Sequence, residues 1–360
     1  MYRGLLRSIL FALAPGAAHA LALGALGPVE HLASLRALVR AMVSPPRDER
    51  IQVRVMGLQF PSPLGLAAGF DKNARRARAL SALGFGHLEL GTVTALPQRA
   101  NPSPNLFRLP ADRALVNRLG FPNDGAERVA ARLGGIRSAM TIPVGVSIGK
   151  SRAVPADDLA GVISDYSASL ERVSGVADFV VVNVSSPNTV GLRGLQAREH
   201  ALELLGTLQQ RAPTVRILVK IAPDLSDADL DELLAVVEET RASGVVATNT
   251  TVSREGLETE GRRVHAIGAG GLSGPPLRAR AVQVVERARA RLGRQAVIIG
   301  VGGIERAEHV VALMRAGANL VQMYTGFIYE GPGAPARIAR ELVQMIESAG
   351  ARDLAELVRA

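Results

Sequence analysis

The chain has no cysteine, no tryptophan and an aromatic content of only 3%. Without cysteine there are no disulfides, no thiolate metal ligands and no cysteine nucleophile or acid. The net charge of +9 would suit nucleic acid or an anionic membrane surface. The scarcity of aromatic side chains removes the usual platform for stacked bases, and the arginines run through helix-like stretches such as RARARLGR beside glutamates, so no nucleic-acid partner is expected. Lysine is scarcer still: the 42 basic residues include only Lys72, Lys150 and Lys220. Arginine fills nearly every position where any cation would serve, so a surviving lysine marks a place for a compact ammonium on a flexible stem. All three end or interrupt apolar, glycine-rich runs that read as strand ends, in LGLAAGFDK, VGVSIGK and ILVKIAPD. Lys72 and Lys220 are read as functional, whereas Lys150 is left open between function and chance.

At 360 residues and 48% apolar content, one large domain with an extension is expected. From Ser8 to Val29 there is no Asp, Glu, Lys or Arg, and Ala18-His19-Ala20 would suit a signal peptidase. Pro15-Gly16 breaks the run into two helices, about Tyr2 to Leu13 and Ala17 to Leu26, each shorter than the ~20 residues that span a bilayer. A pair of helices lying in the membrane interface fits better than an export signal, with Leu5, Leu6, Ile9, Leu10 and Leu13 on one apolar face. The segment SPPRDER, residues 44–50, separates this helical part (1–44) from the rest (45–360).

Beyond it, short β-branched runs alternate with stretches of helical period. Strands are expected at 64–69, 87–92, 144–149, 179–185, 217–222, 244–250, 297–303 and 320–326. Eight β-then-α units argue for an α/β fold, a (β/α)8 TIM barrel. The stretch 94–122, rich in Pro and Asn, is too long for a plain connection and reads as a lid or binding segment.

In such a barrel, function sits at the carboxyl ends of the strands. Here those ends carry Thr92, then Asn183, Ser185, Ser186 and Asn188, then Thr248, Asn249, Thr250 and Thr251. Amides offer paired donors and acceptors, suited to a flat ligand such as a pyrimidine ring. Gly300-Val301-Gly302-Gly303 and Tyr324-Thr325-Gly326 occupy the usual barrel phosphate site. No dinucleotide fingerprint precedes a helix, which favours FMN over NAD. Lys220 would sit beside that cofactor, stabilising the charge gained on reduction. Its alternatives are an ion pair with Asp224 or the Schiff-base lysine of an aldolase. No paired carboxylates or metal-spaced histidines stand at the strand ends, so no metal is expected, and His87, His200, His265 and His309 are read as structural or solvated.

The motifs LGLAAGFDKN, FGHLELGTVT, PNLFRLPADRALVNRLGFPNDG, VVVNVSSPNTVGLRGLQ, VKIAPDLS, VVATNTTVSR, GGLSGPPL, VIIGVGGI and LVQMYTGFIYEGP, in this order, resemble class 2 dihydroorotate dehydrogenase. The resemblance runs from about residue 2 to 348. It implies oxidation of dihydroorotate to orotate with one FMN per chain and reoxidation by a membrane quinone, in pyrimidine synthesis. By motif position it makes Ser186 the catalytic base, with Thr189 and Phe121 in a proton relay. Lys72, Asn117, Arg118, Leu119, Gly120, Phe121, Asn183, Asn188, Asn249 and Thr250 would contact substrate. Ala68, Gly69, Phe70, Asp71, Lys72, Thr92, Ser147, Asn183, Lys220, Thr248, Gly274, Gly303, Tyr324 and Thr325 would contact FMN, although Ser147 replaces the family's usual Asn. His19, Arg108 and Tyr324 would line a quinone tunnel entered through the N-terminal helices. Class 1 relatives use a cysteine base and lack those helices. A tRNA dihydrouridine synthase shares the FMN barrel but relies on a cysteine acid. The implied setting is the cytoplasmic side of a bacterial inner membrane, as a peripheral monomer or weak homodimer, with Arg3, Arg7, Arg36 and Arg40 near lipid headgroups; the lack of a transit peptide points the same way.

Overall fold

The computed structural model describes residue 4, residues 6–45 and residues 48–359; Tyr2, Arg3 and Leu5 lie outside the described residues. Among the described residues, the two helices expected in the N-terminal part are α1 (Arg7–Ala12) and α2 (Pro15–Ala25), and two more follow, α3 (Gly27–His31) and α4 (Ala33–Val43). Pro15 opens α2 at its first position, where its missing N–H costs nothing. No helix among the described residues is long and apolar enough to cross a membrane.

A hairpin follows, β1 (Val53–Val55) and β2 (Leu58–Phe60), then β3 (Leu64–Leu66), α5 (Ala77–Ser81) and β4 (His87–Val93). After an inserted hairpin, β5 (Leu106–Leu109) and β6 (Ala114–Asn117), come α6 (Ala126–Ile136), β7 (Val144–Ile148), α7 (Leu159–Val173), β8 (Phe179–Asn183) and α8 (Arg198–Arg211). Next are β9 (Ile217–Ile221), α9 (Asp227–Glu239), β10 (Gly244–Ala247), α10 (Gly261–Ile267) and β11 (Gly271–Ser273). The chain ends with α11 (Arg278–Leu292), β12 (Val297–Val301), α12 (Ala307–Arg315), β13 (Leu320–Met323), α13 (Thr325–Glu330), α14 (Ala334–Ser348) and α15 (Leu354–Arg359).

The closed barrel runs β3-β4-β7-β8-β9-β10-β12-β13 and back to β3, every pair parallel. All eight expected strands are there. They form because valine and isoleucine runs suit a pleated surface buried on both faces. The barrel interior is plugged from below by Phe60 of the first hairpin, packed with Phe179, Val181, Leu218, Val246, Ile299 and Leu320. Gly65 makes room there, since a Cβ on it would lie 2.3 Å from the His87 ring.

At the opposite mouth the 94–122 segment is no loose loop. Its hairpin β5-β6 takes β11 as a third antiparallel strand, pairing Asn117 with Gly271. This small sheet roofs the carboxyl ends of the barrel strands.

Polar contacts hold the N-terminal helices on the barrel. Arg108 of β5 donates to the carbonyls of Leu10, Phe11 and Leu13 at the end of α1, where helical carbonyls lack partners, and lies 4.6 Å over the Phe11 ring. Arg76 donates to Leu23 O at 2.6 Å, and buried Glu30 receives Arg78 and the Ala79 amide. Apolar side chains on the far side of these helices stay in solvent: Leu6, Ile9, Leu13, Leu21, Leu32, Leu38 and Met42.

Candidate active site

One cleft of about 1080 Å³, counted to its open mouth, lies between the barrel and the small sheet. Ala68, Gly69, Lys72, Thr92, Asn117, Leu119, Gly120, Phe121, Asn183, Ser186, Asn188, Lys220, Thr248, Asn249, Thr250, Gly274, Gly303, Tyr324 and Thr325 all line it. Besides the tunnel candidates His19 and Arg108, five others stand outside the lining. The Asp71 carboxylate accepts the backbone N–H groups of Asn73, Arg75 and Arg76 and so shapes the turn that carries Lys72. Phe70 faces the N-terminal helices. Ser147 is fully buried behind Thr92. Arg118 donates to Pro104 O and Ile267 O, bracing the small sheet. Thr189 keeps a buried hydroxyl with no hydrogen-bond partner among the described residues.

The amides form a connected net. Asn183 Nδ2 donates to Thr92 Oγ1 at 3.0 Å, and Thr92 Oγ1 meets Ser147 Oγ at 2.9 Å. Asn249 Nδ2 donates to Asn183 Oδ1 and to Ser185 Oγ, while Asn249 Oδ1 receives the Thr250 N–H. Across the cleft Asn188 Nδ2 donates to Asn117 Oδ1 at 3.1 Å, tying the loop after β8 to the roof. Mutual hydrogen bonds fix the rotamers, so the remaining donors and acceptors face the cleft preorganised. Ser186 is 5% exposed, and its Oγ accepts the Asn188 N–H at 3.2 Å. That bond leaves the hydroxyl proton to point elsewhere.

Both cleft lysines are cationic anchors of different kinds. Lys72 donates to Gly69 O, and burial lowers its pKa to about 8 against a smaller opposing effect of Asp71. Lys220 is not paired with Asp224. Its ammonium lies 3.5 Å from Glu89 on β4, whereas Asp224 receives Arg193 and Thr251. Lys150 donates to the carbonyls of Ser151 and Val154 and closes its own loop, so it does not reach the cleft.

A second cavity lies between α2 and the barrel, lined by His19, Leu23, Phe70, Asp71, Lys72 and Pro122 among others. Lys72 lines both cavities. His19 meets Phe70 edge-on at 5.1 Å, and Phe70 meets Tyr324 at 6.2 Å, an aromatic path from α2 to the cleft. Burial, and then Lys72, lower the His19 pKa to about 4, so its imidazole is neutral near pH 7.

The residues fit a flavin that carries a phosphate. Gly274, Gly303 and Gly326 line one end of the cleft, where the backbone packs too closely for a side chain: a Cβ on Gly326 would stand 2.0 Å from Ile304 O, and one on Gly274 would stand 2.9 Å from Arg113 O. Glycine-rich backbone, whose N–H groups no side chain screens, suits a phosphate. A cation, Lys220, and a row of amides stand further in. The sequence reading missed Glu89 and Gln322, both inward on barrel strands and both buried. The signal was present: a charged residue in the wholly buried strand HLELGTV.

Residues 50–346 match the family model described as dihydroorotate dehydrogenase. The dihydroorotate dehydrogenase (quinone) of Thermobifida fusca is 52% identical over 87% of this chain and 84% of its own length. That of Rhodococcus opacus is 49% identical over 100% and 99%, and that of Mycobacterium tuberculosis 47% over 98% and 97%. Among solved structures, the DHODH of Eimeria tenella in complex with ferulenol superposes with a TM-score of 0.84 at 32% identity, covering 97% of this chain and 98% of that one.

Proposed function

The chain belongs to the dihydroorotate dehydrogenase family, and from that premise we propose how its own residues divide the work. It is a quinone-dependent flavoenzyme that oxidises dihydroorotate to orotate in pyrimidine synthesis. The flavin is FMN, one per chain. When bound it accepts hydride from dihydroorotate and yields electrons to quinone. Gly274, Gly303, Gly326, Tyr324 and Thr325 would hold its phosphate, and Thr92, Asn183, Lys220 and Thr248 would hold its ring.

Asn117, Asn188 and Asn249 present amide edges and Thr250 a hydroxyl that orient the dihydropyrimidine ring, and Lys72 binds its carboxylate. Ser186 Oγ takes the C5 proton. An isolated serine is a poor base, so the proton must leave through a partner, and the buried Thr189 hydroxyl, without a hydrogen-bond partner among the described residues, is the group available, with Phe121 of the cleft lining as the other relay candidate. The roof sheet excludes bulk water. The observation that carries this reading is the convergence of Ser186, four asparagines and two lysines on one cleft whose far end is lined by Gly274, Gly302, Gly303 and Gly326.

Quinone approaches through the second cavity, along His19 and Phe70 toward Tyr324, with Arg108 holding α1 in place. The exposed leucines of α1 to α4 rest in the surface of the inner membrane on its cytoplasmic side. The test is anaerobic. The protein should be yellow, bleach with dihydroorotate and regain its colour with a short-chain quinone. Ser186→Ala should retain the colour and slow bleaching by roughly 10²- to 10⁴-fold, the usual worth of a general base. An unchanged rate would remove Ser186 from that role.

A further inference from the structure

Glu89 stands on β4 with its side chain turned into the barrel, 1% exposed, and one carboxylate oxygen lies 3.5 Å from Lys220 Nζ. The other oxygen accepts Gln322 Nε2 of β13 at 2.8 Å. Gln322 Nε2 also lies 3.5 Å from His87 Nε2, and burial keeps His87 neutral by lowering its pKa to about 3. A column therefore runs up the barrel axis, from the apolar plug at Phe60 through His87, Gln322 and Glu89 to Lys220 at the floor of the cleft.

Such an ion pair is a poor way to stabilise a fold, because apolar residues of similar volume usually serve as well. This barrel supplies them in the layer below, around Phe60. The pair's use therefore lies in what it presents to the cleft. A bare ammonium there would favour a reduced flavin strongly, because the ring gains negative charge on reduction. A carboxylate behind it opposes that effect and also restrains a side chain with four rotatable bonds.

We propose that Glu89 is a positioning residue: it fixes the Lys220 ammonium at the cleft floor, cancels part of its charge, and so sets how readily the bound flavin is reduced. The proposal rests on the reading of the cleft as a flavin site. Gln322 contributes by holding the second oxygen, which fixes the carboxylate plane.

The test is an anaerobic redox titration of the holoenzyme against an indicator dye. Glu89→Gln keeps the shape and the contact with Gln322 but drops the charge. It should retain FMN and raise the equilibrium constant for flavin reduction roughly tenfold, about 30 mV for a two-electron couple. Lys220→Met should lower that constant, and adding Glu89→Gln to it should raise it again, because a bare carboxylate is then removed from beneath the ring. A merely structural glutamate would not produce changes that follow the sign of the charge in both backgrounds. If Glu89→Gln fails to fold, Glu89→Asp withdraws the carboxylate by one methylene and should give a smaller rise. A flavin-bearing variant whose constant equals that of the native protein overturns the inference alone. A native chain that neither carries nor takes up FMN overturns the reading of the cleft and the inference with it.

Discussion

Lys72 gives the sharpest solution test of the substrate site. Its ammonium lines the cleft, is anchored on Gly69 O, and has its pKa brought down to about 8 by burial. For a base, a lowered pKa means that the charged form is the one lost early as pH rises. With a pKa of about 8, about nine-tenths of the side chain is charged at pH 7 and about one-tenth at pH 9. A carboxylate ligand binds the charged form, so the affinity for orotate should fall roughly tenfold between pH 7 and pH 9 and continue to fall by about a factor of ten per unit above that. The pyrimidine's own ionisation is followed in parallel and subtracted. Titrating the oxidised protein with orotate, through the perturbation of the visible flavin band, reads the dissociation constant directly. Lys72→Met should weaken binding by roughly 10- to 100-fold at pH 7, the worth of one hydrogen bond to a charged group, and should flatten the pH profile. A profile that stays flat from pH 7 to 9.5 in the native protein, or that keeps its slope in Lys72→Met, would refute the assignment of the carboxylate to Lys72.

Other consequences are independent of the substrate. Removing residues 1–44 should release the protein from membranes and impair quinone reduction while leaving FMN bound; full quinone activity in the truncated protein would sink the proposed entry route. Arg108→Ala deletes the donor to three carbonyls at the end of α1 and should speed proteolysis of α1 without changing flavin reduction by dihydroorotate. Folding holds His87 neutral to about pH 3 while the unfolded chain protonates near pH 6.5, so this group's contribution is intact above pH 6.5 and is lost as pH falls toward 3. Between pH 7.5 and 5 the loss should be about 2 kcal/mol, measured by urea unfolding as the difference between native protein and His87→Asn; equal slopes in the two proteins would dismiss it.

The barrel was legible because its strands are buried on both faces, and continuous valine and isoleucine runs announce that state without reference to their neighbours. The candidate site was legible as a cluster for a related reason: barrel geometry gathers the residues that end those runs, so Asn183, Ser186, Asn249 and Lys220 line one cleft although they are far apart in the chain. What escaped depends on register across the sheet. Asp224 was the obvious partner for Lys220 because it is four residues away, yet the actual partner is 131 residues away. Residues four apart in an extended strand and its following loop diverge, while side chains turned inward from different strands converge on the axis. The roof escaped for the same reason, because β11 adds to a hairpin more than 150 residues earlier and carries only three residues of strand. In a barrel of this kind, an ionisable residue at an inward position of a buried strand should be matched first with the inward residues of other strands, and only then with its neighbours in sequence. Applied to HLELGTV, that rule pairs Glu89 with the one buried lysine on an inward strand position, which is where the structure puts it.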